Sequence, residues 1–193
     1  MADTPRSLLD RIRAGNDAPD WHRFNKIYRP LLSAWLTKFF LQPADVDDVV
    51  QDVLLVVIAK VPTFKHNGHA GSFRSWLRGI VKHRLLTFWR QQQRHPVNGA
   101  AFDHFLTELE DDKSDIAKLL DDDHDRFVVG ALLEAIKGDF QPGTWDLFWQ
   151  TTILGEAIDA VAQRAGVTHN AVFIARSRVL QRLRQESAGL LDQ

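Results

Sequence analysis

The stretch QPADVDDVVQDVLLVVIAKVPTF, residues 42–64, decides the fold class of this chain, because its central VLLVVI at 53–58 suits either a buried strand or a buried helix. The pattern favours the helix. Val46, Val49, Val50, Val53 and Val57 form one continuous stripe at helical spacing, and Gln51 and Asp52 interrupt the alternation that a half-buried strand requires. Asp45, Asp47 and Asp48 stand near the start, where the positive end of a helix dipole favours acids. Pro62 ends the run, since proline lacks the N–H that would continue it.

The same period extends in both directions. Upstream, Ser7 to Ala14 reads as a short helix closed by Gly15, and Asp20 is a candidate cap for a longer helix from Trp21 to about Phe40. Its apolar side is Phe24, Ile27, Tyr28, Leu31, Leu32, Trp35 and Phe39, with Pro30 inside as an expected kink. Downstream, the glycine-rich loop KHNGHAGS leads into FRSWLRGIVKHRLLTFWRQQQRH. There Phe73, Trp76, Leu77, Ile80, Val81, Leu85 and Phe88 make the apolar face, and Pro96 and Gly99 close the unit. Helices are expected again over Phe127–Ile136, Thr144–Thr152, Glu156–Ala165 and Thr168 to about Glu186. The expected fold is all-α, with two small helical domains at 1–97 and 129–193 joined by an acidic linker at 98–128.

Charge is segregated, although the net charge is only -1. From Lys65 to Arg94 the bases are Lys65, Arg74, Arg78, Lys82, Arg84, Arg90 and Arg94, with no acid among them. From Asp103 to Asp125 the acids Asp103, Glu108, Glu110, Asp111, Asp112, Asp115, Asp121, Asp122, Asp123 and Asp125 stand beside only Lys113 and Lys118. The segment from Arg164 to Arg184 is basic again. Two basic blocks around an acidic one point to two polyanion-binding surfaces and a spacer. On composition the spacer reads as a solvated strap with short helices docked on a neighbour; its acids are also suited to mimic nucleic acid and shield the basic surfaces.

The absence of cysteine excludes disulfides, thiolate metal sites and a cysteine nucleophile. The first residues, MADTPRSLLDRIRAGND, lack the continuous apolar core of a signal peptide, and no stretch approaches the roughly 20 apolar residues of a membrane span. A cytoplasmic protein without a membrane segment is expected. Neither a nucleotide-binding glycine pattern nor a nucleophile elbow is present, so neither a cofactor nor an enzymatic activity is expected.

The stretch EAIDAVAQRAGVTHNAVFIARSRVLQRLR, residues 156–184, reads as two helices joined by a tight turn. Ala162 is small where helices cross, Gly166 suits the turn, and Val172 is an inward anchor, a spacing typical of a helix-turn-helix. Thr168 can cap the second helix. At about 100° per residue, Val172, Ala175, Val179 and Leu183 form the buried stripe, with Asn170, Ile174, Ser177 and Gln181 opposite. His169, Phe173, Arg178 and Arg182 flank that outer face, while Arg176 lies near the buried stripe and extends its tip outward. Amides, a hydroxyl and arginines on one face suit a major groove. A solvated arginine-rich face explains the charge but not the small residue, glycine and anchor in register.

These motifs, in this order, resemble bacterial sigma factors of the sigma-70 family, in particular the short extracytoplasmic-function (ECF) group. DVDDVVQDVLLVV looks like the helix that binds core RNA polymerase, and TFKHNGHAGSFRSWLRGIVKHRLLTFWRQQQR is similar to the segment that opens and reads the minus-ten element. AVAQRAGVTHNAVFIARSRVLQRLR looks like the element that docks on minus-thirty-five. GDFQPGTWDLFW, in place of the usual leucine-proline start of the second domain, resembles a divergent branch, and His83 stands where a polar amide is frequent.

The resemblance implies core RNA polymerase and promoter DNA as partners, with an anti-sigma factor a further candidate. Asp45, Asp47, Asp48, Gln51, Asp52 and Leu55 would meet the polymerase. Lys65, His66, Asn67, Ser72, Arg74, Trp76, Arg78, Lys82, His83, Arg84, Trp89 and Arg90 would meet minus-ten DNA, with the loop before Phe73 and the face of Lys82 and His83 favoured for a flipped base. Phe73, Trp76 and Phe88 also sit on the apolar face, where packing is their simpler role. Thr168, His169, Asn170, Phe173, Ile174, Ser177, Arg178, Gln181 and Arg182 would meet minus-thirty-five DNA. A stand-alone helix-turn-helix regulator explains 129–193 but not the acidic helix or the basic aromatic segment. A metal-dependent hydrolase built on His66, His69 and the acids near His124 lacks any ligand spacing on a common element.

Overall fold

The computed structural model describes residues 7–15, 17–38, 41–66, 71–92, 99–109, 111 and 113–191, with backbone alone at 99–102 and 105; among these the chain is all-α. Helix α1 is Leu8–Ala14, started by Ser7, whose hydroxyl accepts from the Asp10 N–H at 3.2 Å. Helix α2, Ala18–Thr37, begins earlier than Asp20 predicts: Pro19 lies in its first turn and Asp17 precedes it. Asp20 accepts instead from Arg11 Nε at 2.9 Å. Pro30 lies within α2 on its exposed side, where water can satisfy the carbonyl that a proline leaves unpaired. Phe39 and Phe40 lie outside the described residues.

The deciding stretch is a helix. α3 spans Pro43–Lys60 and runs into a 3-10 turn at Val61–Thr63. Val46, Val49, Val50, Val53, Leu54 and Val57 are buried, which spends most of the apolar run on the core. Leu55 and Ile58 remain 57% and 45% exposed. Helix α4 is Ser72–Gln91, and α3 packs between α2 and α4. Phe73 is at the centre of an aromatic cluster, with ring centroids 6.3 Å from Phe24, 5.6 Å from Tyr28, 5.5 Å from Phe64 and 5.3 Å from Trp76. Its packing role is therefore the structural one.

Composition predicts over 98–128 a solvated strap with short helices docked on a neighbour. Helices are present there, α5 at Gly99–Glu108 and then α6 at Asp115–Ile136, but α6 is long, so residue 128 and the start expected at Phe127 both fall inside it. Ser114 caps α6, its hydroxyl accepting from the Ala117 N–H at 2.9 Å. Ala117, Leu120, His124, Val128 and Leu132 recur at three and four and give α6 a buried face despite its acids. That face packs on α2. Its first part joins the large core of α1–α4, and its last residues, Leu133 and Ile136, join a second core with Trp145, Phe148 and Val179.

Helix α7 is Pro142–Phe148 and continues as a π-helical turn at Trp149–Ile153, in which the Leu154 N–H donates to the Trp149 carbonyl. The single helix expected over Thr144–Thr152 is thus two segments. Helix α8 is Ile158–Ala165 and α9 is His169–Ser187. Glu156 stands before α8 rather than in it, 2.6 Å from Arg164. Both α7 and α8 pack on α9, and Leu190, just beyond α9, returns to the large core beside Leu8, Leu9 and Ile12.

Candidate nucleic-acid interface

The α8–α9 turn follows from local chemistry. Gly166 adopts φ 66°, a left-handed conformation that costs a residue with Cβ, and the Val167 N–H closes back on the Ala162 carbonyl at 3.0 Å. Thr168 then caps α9, its hydroxyl accepting from the Ala171 N–H at 3.2 Å. Val172, Ala175 and Val179 are buried, so the opposite face must point to solvent. On that face Thr168, His169, Asn170, Phe173, Ile174, Ser177, Arg178 and Gln181 are all exposed, Phe173 and Ile174 by 47% and 43%. His169 also lies 3.1 Å from Asp159 of α8. Arg182 differs: its guanidinium is held by Asp139 and Glu186, at 2.9 Å each.

The basic face of α4 divides into two parts. Lys65, His66, His83 and Arg90 are exposed, and Lys82, Arg84 and Trp89 are half-buried. A concave pocket of about 420 Å³ opens beside the start of α4, lined by Lys60, Thr63, Phe64, Lys65, Ser72, Ser75 and Trp76. Asn67 and His69 lie outside the described residues. By contrast, Arg74 and Arg78 turn toward α6. Arg74 Nη1 donates to both carboxylate oxygens of Asp125 at 2.7 Å, and Arg78, only 2% exposed, pairs with Asp121.

Beneath these pairs sits His124, which is fully buried. Its Nδ1 is 3.1 Å from Asp125 and its Nε2 is 3.2 Å from the Tyr28 hydroxyl. A neutral ring with its proton on Nδ1 satisfies both contacts. Burial pushes the His124 pKa down and the Tyr28 pKa well up, so both groups remain uncharged. For Asp125, burial acts upward, but hydrogen bonds from His124 and Arg74 outweigh it and hold the carboxyl below its usual range. His124 is thus a packed, hydrogen-bonded histidine. Among the described residues, no group of three His, Asp or Glu side chains is arranged to hold a metal ion.

The acidic face belongs to α3. Asp47, Asp48, Gln51, Asp52 and Leu55 are exposed and Asp45 is half-buried. Gln51 and Leu55 form the ridge between two grooves. One, of about 470 Å³, includes Asp48, Asp52 and Phe88; the other, of about 560 Å³, includes Trp21, Phe24, Leu54 and Ile58. An acidic rim around exposed leucine and isoleucine suits a partner helix with basic and apolar groups.

Residues 26–95 match the family model of Sigma-70 region 2. The match takes in most of α2, all of α3 and all of α4, the elements that carry the acidic face and the basic aromatic segment. Over these residues the chain is similar to sigma region 2 of the sigma-70 family. No curated protein matches the chain. Within the sigma region 2 match, the exposed residues named above lie on α3, on the approach to α4 and along α4 itself. Among the described residues, no helix is long and apolar enough to cross a membrane.

One residue escaped the sequence pattern altogether. Glu186 is fully buried at the end of α9, where Arg11, Arg23 and Arg182 surround it at 2.7, 2.7 and 2.9 Å. Only its place one helical turn after Arg182 was visible beforehand.

Proposed function

We propose that this chain is a sigma factor of the ECF type, divergent in its second half, that binds core RNA polymerase and directs initiation at promoters carrying minus-ten and minus-thirty-five elements. The division at 1–97, 98–128 and 129–193 then corresponds to sigma region 2, an acidic connector and sigma region 4, the last carrying a helix-turn-helix in α8 and α9. The observation that carries the proposal is the sigma region 2 match over 26–95, which covers both the acidic α3 face and α4.

In this function the chain positions and performs no covalent chemistry. Asp45, Asp47, Asp48, Gln51, Asp52 and Leu55 engage the polymerase, with the acids raising association rate and setting register. The pocket beside Lys65, Ser72 and Trp76, with Lys82 and His83 further along α4, takes unstacked minus-ten bases, and aromatic stacking offsets part of the cost of strand separation. The exposed face of α9 enters the major groove at minus-thirty-five, where Asn170, Ser177, Arg178 and Gln181 reach polar base edges and Phe173 and Ile174 suit thymine methyl groups. Tethering both surfaces to one polymerase raises the effective concentration of each for its element. A cytoplasmic location follows from these partners.

The competing reading, a regulator that never meets polymerase, leaves the exposed acidic and apolar face of α3 without a role. Reconstituted transcription with core polymerase, followed by start-site mapping across a genome, tests the proposal. Stoichiometric binding to core enzyme and promoter-specific starts are expected. Failure to bind core enzyme, together with failure to initiate at any tested sequence, refutes it.

A further inference from the structure

We infer that helix α6 is a built-in competitor for DNA: in the unbound chain its carboxylates occupy arginines of α4 that phosphates take once α6 has moved away. The inference rests on the reading of α4 as a nucleic-acid surface. Arg74 and Arg78 lie one turn apart on α4, and Asp121 and Asp125 lie one turn apart on α6, so the two pairs register through their side chains. Arg74 Nη1 donates to both carboxylate oxygens of Asp125 at 2.7 Å, a charge-assisted contact that a phosphate oxygen can replace at the same nitrogen. Arg78 is 2% exposed, and no polyanion reaches it while α6 is docked. A third acid of α6, Asp123, pairs with Lys38 at the end of α2.

The charged layer is open to solvent on one side. Asp125 keeps 45% of its side chain exposed and Asp121 keeps 24%, so water and salt reach these pairs from one side. The apolar part of the contact, Leu120 and Val128, holds α6 in place but gives no charge selectivity. DNA presents many more phosphates than α6 presents acids. A chain already held on polymerase near DNA would exchange the internal carboxylates for phosphates, while a chain away from promoters would keep Arg74 and Arg78 neutralised.

The test uses the full-length chain, without polymerase, and a fluorescent mixed-sequence oligonucleotide, single-stranded and duplex, titrated over a salt series. The D121N/D125N variant is expected to bind about tenfold or more tightly than wild type at low salt, with a log affinity against log salt slope steeper by nearly two, as two arginines become available to phosphate. The D115N/D122N variant makes the same change in net charge at acids that do not contact α4, and a change well below that is expected. The V128A variant alters no charge but loosens α6, and it must move in the direction of D121N/D125N, which keeps the test valid if the double variant fails to fold.

Equal tightening in both double variants would mean bulk charge alone and would overturn the inference. So would no tightening in D121N/D125N or V128A. Transcription with core polymerase is run in parallel: if wild type initiates while the variants bind oligonucleotide as wild type does, the inference fails and the sigma reading stands. If wild type neither binds core enzyme nor initiates, the sigma reading itself fails.

Discussion

Glu186 Oε1 accepts a hydrogen bond from Arg11 Nη2 at 2.7 Å, joining residues 175 positions apart. Arg11 Nη1 reaches Oε2 at 3.1 Å, making the pair bidentate, and Arg23 and Arg182 complete the cage. Burial drives the Glu186 carboxyl upward, but the hydrogen bonds from Arg11 and Arg182 outweigh it and set its pKa at about 2, against an ordinary 4.5. One residue thus fixes the end of α9 to α1 and α2.

The first prediction concerns this cage. Because the folded pKa lies below the unfolded one, the contribution of Glu186 is fully present above pH 4.5 and is lost as pH falls toward about 2. Wild-type stability, measured by urea denaturation, is expected to fall more steeply across that window than stability of the E186Q variant. At neutral pH, E186A is expected to cost about 1–3 kcal/mol, below the full penalty of an orphaned buried charge because the arginines it leaves behind can reach water.

His124 supplies the second. Its folded pKa lies below the ordinary 6.5, so its neutral form is favoured, and stability is expected to decline as pH drops below 6.5 because the unfolded chain takes up the proton more readily. Thermal denaturation of H124N should lack this component. Removing the partner hydroxyl in Y28F leaves Nε2 without its hydrogen bond and is expected to cost about 1–3 kcal/mol.

Leu55 separates stability from binding. It is 57% exposed, so L55A is expected to change folding free energy by no more than about 0.5 kcal/mol. Affinity for core polymerase, measured by fluorescence titration, is expected to fall about tenfold, the equivalent of about 1.4 kcal/mol. Unchanged affinity would remove Leu55 from the polymerase face.

Arg178 is exposed on the outer face of α9. R178A is expected to weaken promoter binding by about 1–3 kcal/mol if it contacts a base, and to reduce the salt slope by about one if it contacts a phosphate. Identical affinity to wild type throughout a salt series would exclude both contacts. Binding to core polymerase should not change.

What was legible in the sequence follows a physical divide. Helix period, capping by Thr168 and the glycine turn at 166 are local events, settled by groups within a few residues of one another, and they determined the all-α class, the helical reading of 42–64 and the exposed face of α9. Where local signals conflicted, tertiary packing decided. The acids of 103–125 masked the apolar spacing of α6, and docking on α2 made one long helix shared by both cores where a strap with short docked helices was expected. The partners of Arg74, Arg78 and Glu186 were likewise invisible, because a charge's surroundings depend on which segments the closed chain brings together. Those pairs span 51, 43 and up to 175 positions, distances at which composition reports that a basic block exists but only the folded chain decides what it faces.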